Sequence, residues 1–379
     1  MLSNRTLAST LVALALSAPL AAAPAFPVPY AGEAEPGQQG PSPQETTKIG
    51  QEAARAAAEA ARAVRESLNG LEGQHWGPGR GPAVTEKLSK VLKTAGPVTV
   101  VVQNFSGDIS VTGAGANEVR VEATKVARAR EASEARAVLE ATHVVIEQQG
   151  DRVEIRVPVN RWREPRWSVP TVEFAVVVPA GSTVDVKSVS GNLNVAGIKG
   201  IVAAETVSGN VTASALAGQA SLKSVSGDVQ VHASTVTGDV TVNSVSGDVT
   251  ARTLRARGVS ASTVSGDIAL QDAACDRATV KSMSGNIEIA GPLNRSARYE
   301  LKSHSGDVRV LVDGKTGFEL EATTWSGALS SELKLAGATS GGDTGMRQRT
   351  LQGVFGDGSA RIEATSFSGN VIVGKQKPQ

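Results

Sequence analysis

The chain has 379 residues, 38 basic and 37 acidic, and a net charge of +1, so charge points to neither nucleic acid nor a strongly acidic partner. Forty glycines with only 3% aromatics suit a turn-rich array with a thin interior. The single cysteine, Cys275, excludes an internal disulfide and a cysteine-based metal cluster.

From the N-terminus, Arg5 precedes an apolar run from Leu7 to Leu20, followed by the small residues Ala21 to Ala25. This pattern predicts a secretory signal peptide over residues 1–25, the run being short for a membrane span. The mature chain is expected in the periplasm, at the cell surface or secreted, with no transmembrane segment. Residues 26–82 read as a disordered linker rich in Pro, Gly and Gln, interrupted by an alanine-rich helix at about 46–68. Ala53, Ala57, Ala60, Val64 and Leu68 share one face there, and Arg55–Glu59 and Arg62–Glu66 can pair one turn apart. A partner-binding helix would fit, but a stripe of mostly alanine favours a solvated linker helix.

A folded domain is expected over 83–375, with an irregular part at 83–180. Val98–Val102 leads into Asn104-Phe105-Ser106-Gly107-Asp108-Ile109-Ser110-Val111, and Glu118–Ala123 is a strand with its charges alternating outward. Ala129–Thr142 reads as one inserted helix, with Ala132, Ala135, Val138 and Leu139 on one side, placed to cover an open first coil. Val144–Gln148 and Arg152–Pro158 form a hairpin around Gln149-Gly150-Asp151. Trp162, Trp167, Arg163 and Arg166 then cluster between prolines; they are candidate contacts for a sugar ring or a lipid surface, although a rigid covering loop is the plainer reading.

Over 181–331 one phrase recurs: Ser/Thr, apolar, Ser, Gly, Asp/Asn, apolar, any, apolar. Its glycines, Gly191, Gly209, Gly227, Gly247, Gly266, Gly285, Gly306 and Gly327, are spaced by 18, 18, 20, 19, 19, 21 and 21. A second set, Gly200, Gly218, Gly238 and Gly258, halves each period into arms of about nine residues. Strict alternation puts Val225, Gly227, Val229 and Val231 on one dry face. The expected fold is all-β: a parallel β-solenoid, β-helix-like, of coils of about 18–21 residues. An antiparallel β-meander is the alternative, but it needs no full-period identity. In the irregular part at 332–375, Gly337–Gly345 reads as a polar loop, Leu351–Gly358 as a closing turn and Ser366–Val373 as a last coil. His304 and Trp325, where valine is usual, and Ala328, where Asp or Asn is usual, suggest looser packing.

These phrases, with Phe105–Ile109, the Val119–Lys125 strand, the Val176–Gly181 step and the Gly353–Ile362 step, give the chain its kinship. In that order, over roughly Thr85 to Val373, it resembles the bacterial "putative adhesin" β-strand-repeat family, an exported domain of unknown function. The resemblance implies a β-helix-like fold and an envelope location. It supplies no catalytic residues to carry over.

Asn192, Asn210, Asp228, Asp248, Asp267, Asn286 and Asp307 recur at one position of the phrase. Stacked at about 4.8 Å, two carboxylates repel by about 0.9 kcal/mol in water and about 3.5 at an effective dielectric of 20. Asp228, Asp248 and Asp267 must then be solvated, cation-bound or offset by Lys223 and Lys281. The plain reading is turn capping through nearby backbone amides. The Gly-Gly-x-Gly-x-Asp repeat of calcium β-rolls is absent, His75, His143, His232 and His304 are scattered, and no nucleophile or phosphate-loop motif appears. No catalytic, cofactor or metal residues are assigned. The expected function is a non-catalytic adhesin-like interaction module whose partner is an envelope component, a surface polysaccharide or a protein, and not nucleic acid. A carbohydrate-active β-helix enzyme using Asp228, Asp248 and Asp267 and a structural envelope protein are the alternatives.

Overall fold

The computed structural model describes residues 81–158, 170–342 and 348–376, all in the second of the two units into which the chain divides, Trp76–Gln379. The expected signal peptide, the alanine-rich helix and the cluster of Trp162, Arg163, Arg166 and Trp167 lie outside the described residues.

Alternation of Val, Ala, Ile and Leu with Ser, Thr and charged residues makes strands with one buried face, and the described part is nearly all β, with one helix. Its 25 strands, numbered in chain order, form one large sheet nearly closed on itself around a single narrow core. The strands stack in two rows. In the first row the order is β6 (Arg152–Arg156), β2 (Thr99–Ser106), β8 (Thr183–Ser190), β10 (Val202–Ser208), β12 (Ala220–Ser226) and β14 (Asp239–Ser246). It continues through the second halves of β15 (Val249–Ser265) and β16 (Ile268–Ser284) to β18 (Arg298–Ser305), β24 (Ala360–Ser368) and β20 (Phe318–Ser326).

In the second row β7 (Thr171–Pro179) is followed by β3 (Ile109–Ala114), β9 (Leu193–Ala196), β11 (Val211–Ser214) and β13 (Val229–Thr235). The first halves of β15 and β16 come next, then β17 (Ile287–Gly291), β19 (Val308–Val312), β25 (Val371–Lys375) and β21 (Leu329–Ser331). Every pair within these two rows is parallel. Copies of the phrase lie directly on one another, Ser188 on Thr206 and Thr206 on Ser224. A meander would pair them antiparallel.

Antiparallel strands finish both ends. At one end β5 (Val145–Gln149) pairs with β6 as the expected hairpin, β4 (Glu118–Arg128) with β7, and β1 (Ala83–Lys93) with β4. At the other, β23 (Arg349–Phe355) pairs with β20, and β22 (Ala336–Gly342) with β23. The segments expected as a polar loop and a closing turn are thus largely strands. The free edge of β20 offers a ladder that their Gly- and Ser-rich sequences do not advertise.

Helix α1 (Ala132–Ala141) buries Ala135, Val138 and Leu139 against Ala127 and Ala129, with Val84 beside them, in a small cluster of its own. It therefore sits on β1 and β4 instead of plugging the main core. Lys125 Nζ donates to the Leu139 and Thr142 carbonyls at 3.3 Å each, placing a cation at the helix C-terminus, where the helix dipole favours one.

Two expectations need correction. In β12 the buried residues are Ala220, Leu222 and Ser224, while Val225 is half-exposed; beyond the turn Val229 and Val231 are buried. The inward parity changes across Ser226-Gly227-Asp228 because Gly227, at φ +150°, turns the chain through a conformation that strand alternation does not include. Second, Ser366–Val373 is last in sequence but not in space. Its strands β24 and β25 insert between the coil of β18 and β19 and that of β20 and β21. The first phrase, β2 and β3, is likewise flanked on both sides, by β6 and β7 and by β8 and β9.

Candidate functional site

The Ser-Gly-Asx corner is where neighbouring coils come closest. A Cβ on Gly227 would fall inside contact with the Gly209 carbonyl oxygen and 2.6 Å from its carbonyl carbon, so only glycine fits. Around it the polar residues form two ladders. In the first, each Asx side chain accepts the backbone N–H of its counterpart on the next coil. Asp108 Oδ1 takes the N–H of Asn192 at 2.8 Å and Asn192 Oδ1 that of Asn210 at 3.0 Å, and the pattern runs through Asp228, Asp248, Asp267 and Asn286 to Asp307. Asp307 then takes the N–H of Asn370, and Asn370 Oδ1 that of Ala328 at 2.8 Å. The caps thus bridge coils and do not close their own turns. Ala328 ends the ladder: among the described residues the antiparallel β23, and not another parallel coil, lies beyond β20, which explains its departure from the repeat.

In the second ladder, the hydroxyl that opens each phrase donates to the glycine carbonyl of the coil before it. Ser224 reaches Gly209 at 3.0 Å, Ser244 reaches Gly227 at 3.1 Å and Thr324 reaches Gly369 at 2.8 Å. Asn104 replaces the hydroxyl on the first phrase and donates to the carbonyls of Val172 at 2.7 Å and Gly107 at 3.2 Å. It thereby occupies the carbonyl that Ser188 would use, and Ser188 Oγ is buried without a partner among the described residues.

Between the hydroxyl and the second serine, one residue per coil faces outward. In stacking order this row is Phe105, Val189, Val207, Val225, Val245, Val264, Met283, His304, Phe367 and Trp325. Its last three members are rings. His304 stacks on Phe367 with centroids 4.9 Å apart and planes within 4°, and Trp325 lies 5.8 Å from Phe367 at 29°. Phe367 remains 48% exposed and His304 is exposed. The C-terminal coils are thus bound together by an aromatic ladder, contrary to the looser packing expected of His304 and Trp325. Phe367 was missed as a member because the insertion of its coil is not legible, although all three rings stand immediately before a Ser-Gly pair.

Beside this row, Lys223 pairs with Glu205 at 2.9 Å and Lys302 with Glu300 at 2.7 Å, so Lys223 serves a neighbouring glutamate and not the aspartate row. Burial pushes the Asp185 carboxyl above its ordinary value, with Oδ1 lacking a partner among the described residues. Burial also pushes the Cys275 thiol up to about 11; it lies 3.6 Å from the Tyr299 hydroxyl, itself pushed up by burial. Near the N-terminal end a cleft of about 370 Å³ opens over Ser110, Ala175 and Asn194, with Asp108, Glu122 and Glu173 around it. Among the described residues no group of three or more His, Cys, Asp or Glu side chains is arranged to hold a metal ion. No helix among them is long and apolar enough to cross a membrane.

A family model described as Toastrack DUF4097 matches residues 93–253, 234–293 and 265–374. The chain belongs to that family. The Toastrack match spans both the irregular N-terminal coils and the regular repeats. No curated protein matches. Among solved structures, the chain is similar to a "putative cell adhesion protein" from Clostridium sporogenes at 10% identity, covering 77% of this chain and 100% of that one, with a TM-score of 0.20. It is also similar to a "putative lipid binding protein" from Parabacteroides distasonis at 13% identity, 79% and 98% coverage and a TM-score of 0.37. A "putative adhesin" from Bacteroides fragilis shows 10% identity, 79% and 99% coverage and a TM-score of 0.35. With scores this low, membership in the Toastrack family rests on the matched residues.

Proposed function

We propose that this Toastrack chain is an exported, non-catalytic, adhesin-like interaction module whose coils form a parallel β-solenoid. Parallel pairing at one-period offsets in both rows supports the solenoid. The observation that carries the function is the outward row, which ends in the stack of the exposed His304 and Phe367 on the half-exposed Trp325. A protein that only had to be stable would gain by covering such rings, and exposed contiguous apolar surface marks interaction sites. Asp228, Asp248 and Asp267 each accept a main-chain N–H through Oδ1, a structural role that accounts for their recurrence without catalysis. The test is retention of the full chain on isolated cell envelopes, compared with Phe367→Ser and Trp325→Ser combined. The wild type should be retained and the double variant released while its melting temperature stays within a few degrees. Equal retention of both, or turnover of a polysaccharide that Asp248→Asn abolishes, would defeat the proposal.

A further inference from the structure

The N-terminal edge strand β1 stands apart from the managed ends of the sheet. It is 11 residues long, exposed over most of its length, and among the described residues pairs only with β4. Leu88 and Val91 on it are 38% and 49% exposed, two of the few large apolar side chains that are open to solvent. A long edge of this kind templates another strand unless its charges forbid it. Lys87, Lys90 and Lys93 are such charges, so the question is what each would meet.

We propose that β1 pairs antiparallel with β1 of a second copy of this chain, in the register centred on Leu88. An isologous interface brings residue i of one copy to residue j of the other and j to i. With Leu88 on the two-fold axis, Glu86 faces Lys90 of the second copy, twice, and Val84 faces Leu92, twice. On the other sheet face Lys87 meets Ser89 and Val91 meets Thr85. No like charges are directly opposed. Moving the axis to Lys90 would oppose Lys90 to itself and Lys87 to Lys93. Moving it to Ser89 sets Lys90 against Leu88 and leaves Glu86 against Leu92. The charge pattern of β1 is therefore self-complementary in the Leu88 register. Glu86 spends Oε2 on Lys125 at 2.9 Å yet its side chain is half-exposed, and Lys90 Nζ uses one donor on the Ile146 carbonyl at 2.9 Å. An ammonium has two donors left.

Light scattering on the full chain, eluting at a series of concentrations, tests this. The mass should rise from 38.8 kDa towards twice that value. Ser89→Lys, which opposes Lys87 of the second copy in two symmetric places, should weaken the dimer by about tenfold, while the melting temperature at dilution, where both proteins are monomeric, stays the same. Leu88→Cys should oxidise to a covalent dimer, because directly opposed residues bring their Cα atoms within disulfide reach. Val91→Cys, facing Thr85, should not, and Cys275 is buried and cannot confuse the result. A mass fixed at 38.8 kDa, a dimer indifferent to Ser89→Lys, or equal cross-linking through Val91→Cys would each overturn the pairing.

Discussion

Replacing Gly247 with Ala should be among the most damaging single changes in this chain. The residue sits at φ +156°, and its new Cβ would collide with the Gly227 carbonyl oxygen and lie 2.6 Å from the carbonyl carbon. The coils must move apart by about 1 Å to reach ordinary contact. Four hydrogen bonds cross that gap: Gly227 N–H to Ser246 O at 3.0 Å, Val229 N–H to Asp248 O at 2.9 Å, Ser244 Oγ to Gly227 O at 3.1 Å and Asp248 N–H to Asp228 Oδ1 at 2.9 Å. At about 1 kcal/mol each, their weakening costs up to about 4 kcal/mol. Backbone strain adds about 1–3 kcal/mol. The sum, up to about 5–7 kcal/mol, is a large part of the 5–15 kcal/mol typical of a folded domain. Gly96 is the control, since a Cβ there meets nothing within 4 Å, and Gly96→Ala should stay within about 0.5 kcal/mol of wild type. Urea unfolding of both variants decides. A loss below about 1 kcal/mol for Gly247→Ala would refute the close-stacked corner.

Val229→Asp buries an unpaired charge at a fully buried position and should cost several kcal/mol in urea unfolding, whereas Gln230→Asp on the outer face should cost little. On the Asx ladder, Asp228→Ala should lose about 1 kcal/mol with the bond to Asp248 N–H, while Asp228→Asn keeps an acceptor and should be near neutral; thermal melts separate the two. Asp185 has a folded pKa above its ordinary 3.8, so its contribution to stability is greatest at low pH and declines as pH rises through the folded value. Asp185→Asn should therefore raise the melting temperature at pH 7 and lose that advantage in acid below about pH 4. Thr253, an exposed β-branched residue at φ +52°, occupies the corner where the earlier coil has Gly197, and Thr253→Gly should stabilise by up to about 1 kcal/mol in the same melts.

The sequence announces the repeat because close stacking admits only glycine at Gly191 and its successors, and because Val, Ala, Leu and Ile recur at most of the buried steps. Helix α1 and the β5–β6 hairpin were legible for ordinary reasons, an apolar helical face and a glycine turn. Pairing order was not. That β24 and β25 lie between earlier coils depends on where the connection around Gly356 and Gly358 leads the chain, and the phrase Ser366–Val373 reads the same wherever it is stacked. The inward parity was also hidden, since alternation gives no sign that Ser-Gly-Asp shifts it by one residue. Gly197 marks the second corner on one coil, but the next four carry Ala215, Ala233, Thr253 and Asp272 there at positive φ, so no recurring glycine announces it. As for the site, His304 and Trp325 stood out, but Phe367 joins them only once its coil is placed.

Removing residues 244–262 tests the stack of coils most directly. Asn243 is equivalent to Ser262 across β14 and β15, so the cut joins Asn243 to Thr263 in the place that Ser244 held and takes out one whole period. The Thr263 hydroxyl would then meet the Gly227 carbonyl, and Asp228 Oδ1 the N–H of Asp267, so both ladders close again with one rung fewer. Circular dichroism and urea unfolding of this shortened chain should show a β-rich protein with one cooperative transition and a midpoint close to that of wild type. A chain that is unfolded, or that melts in separate steps, would contradict the proposed solenoid of interchangeable parallel coils.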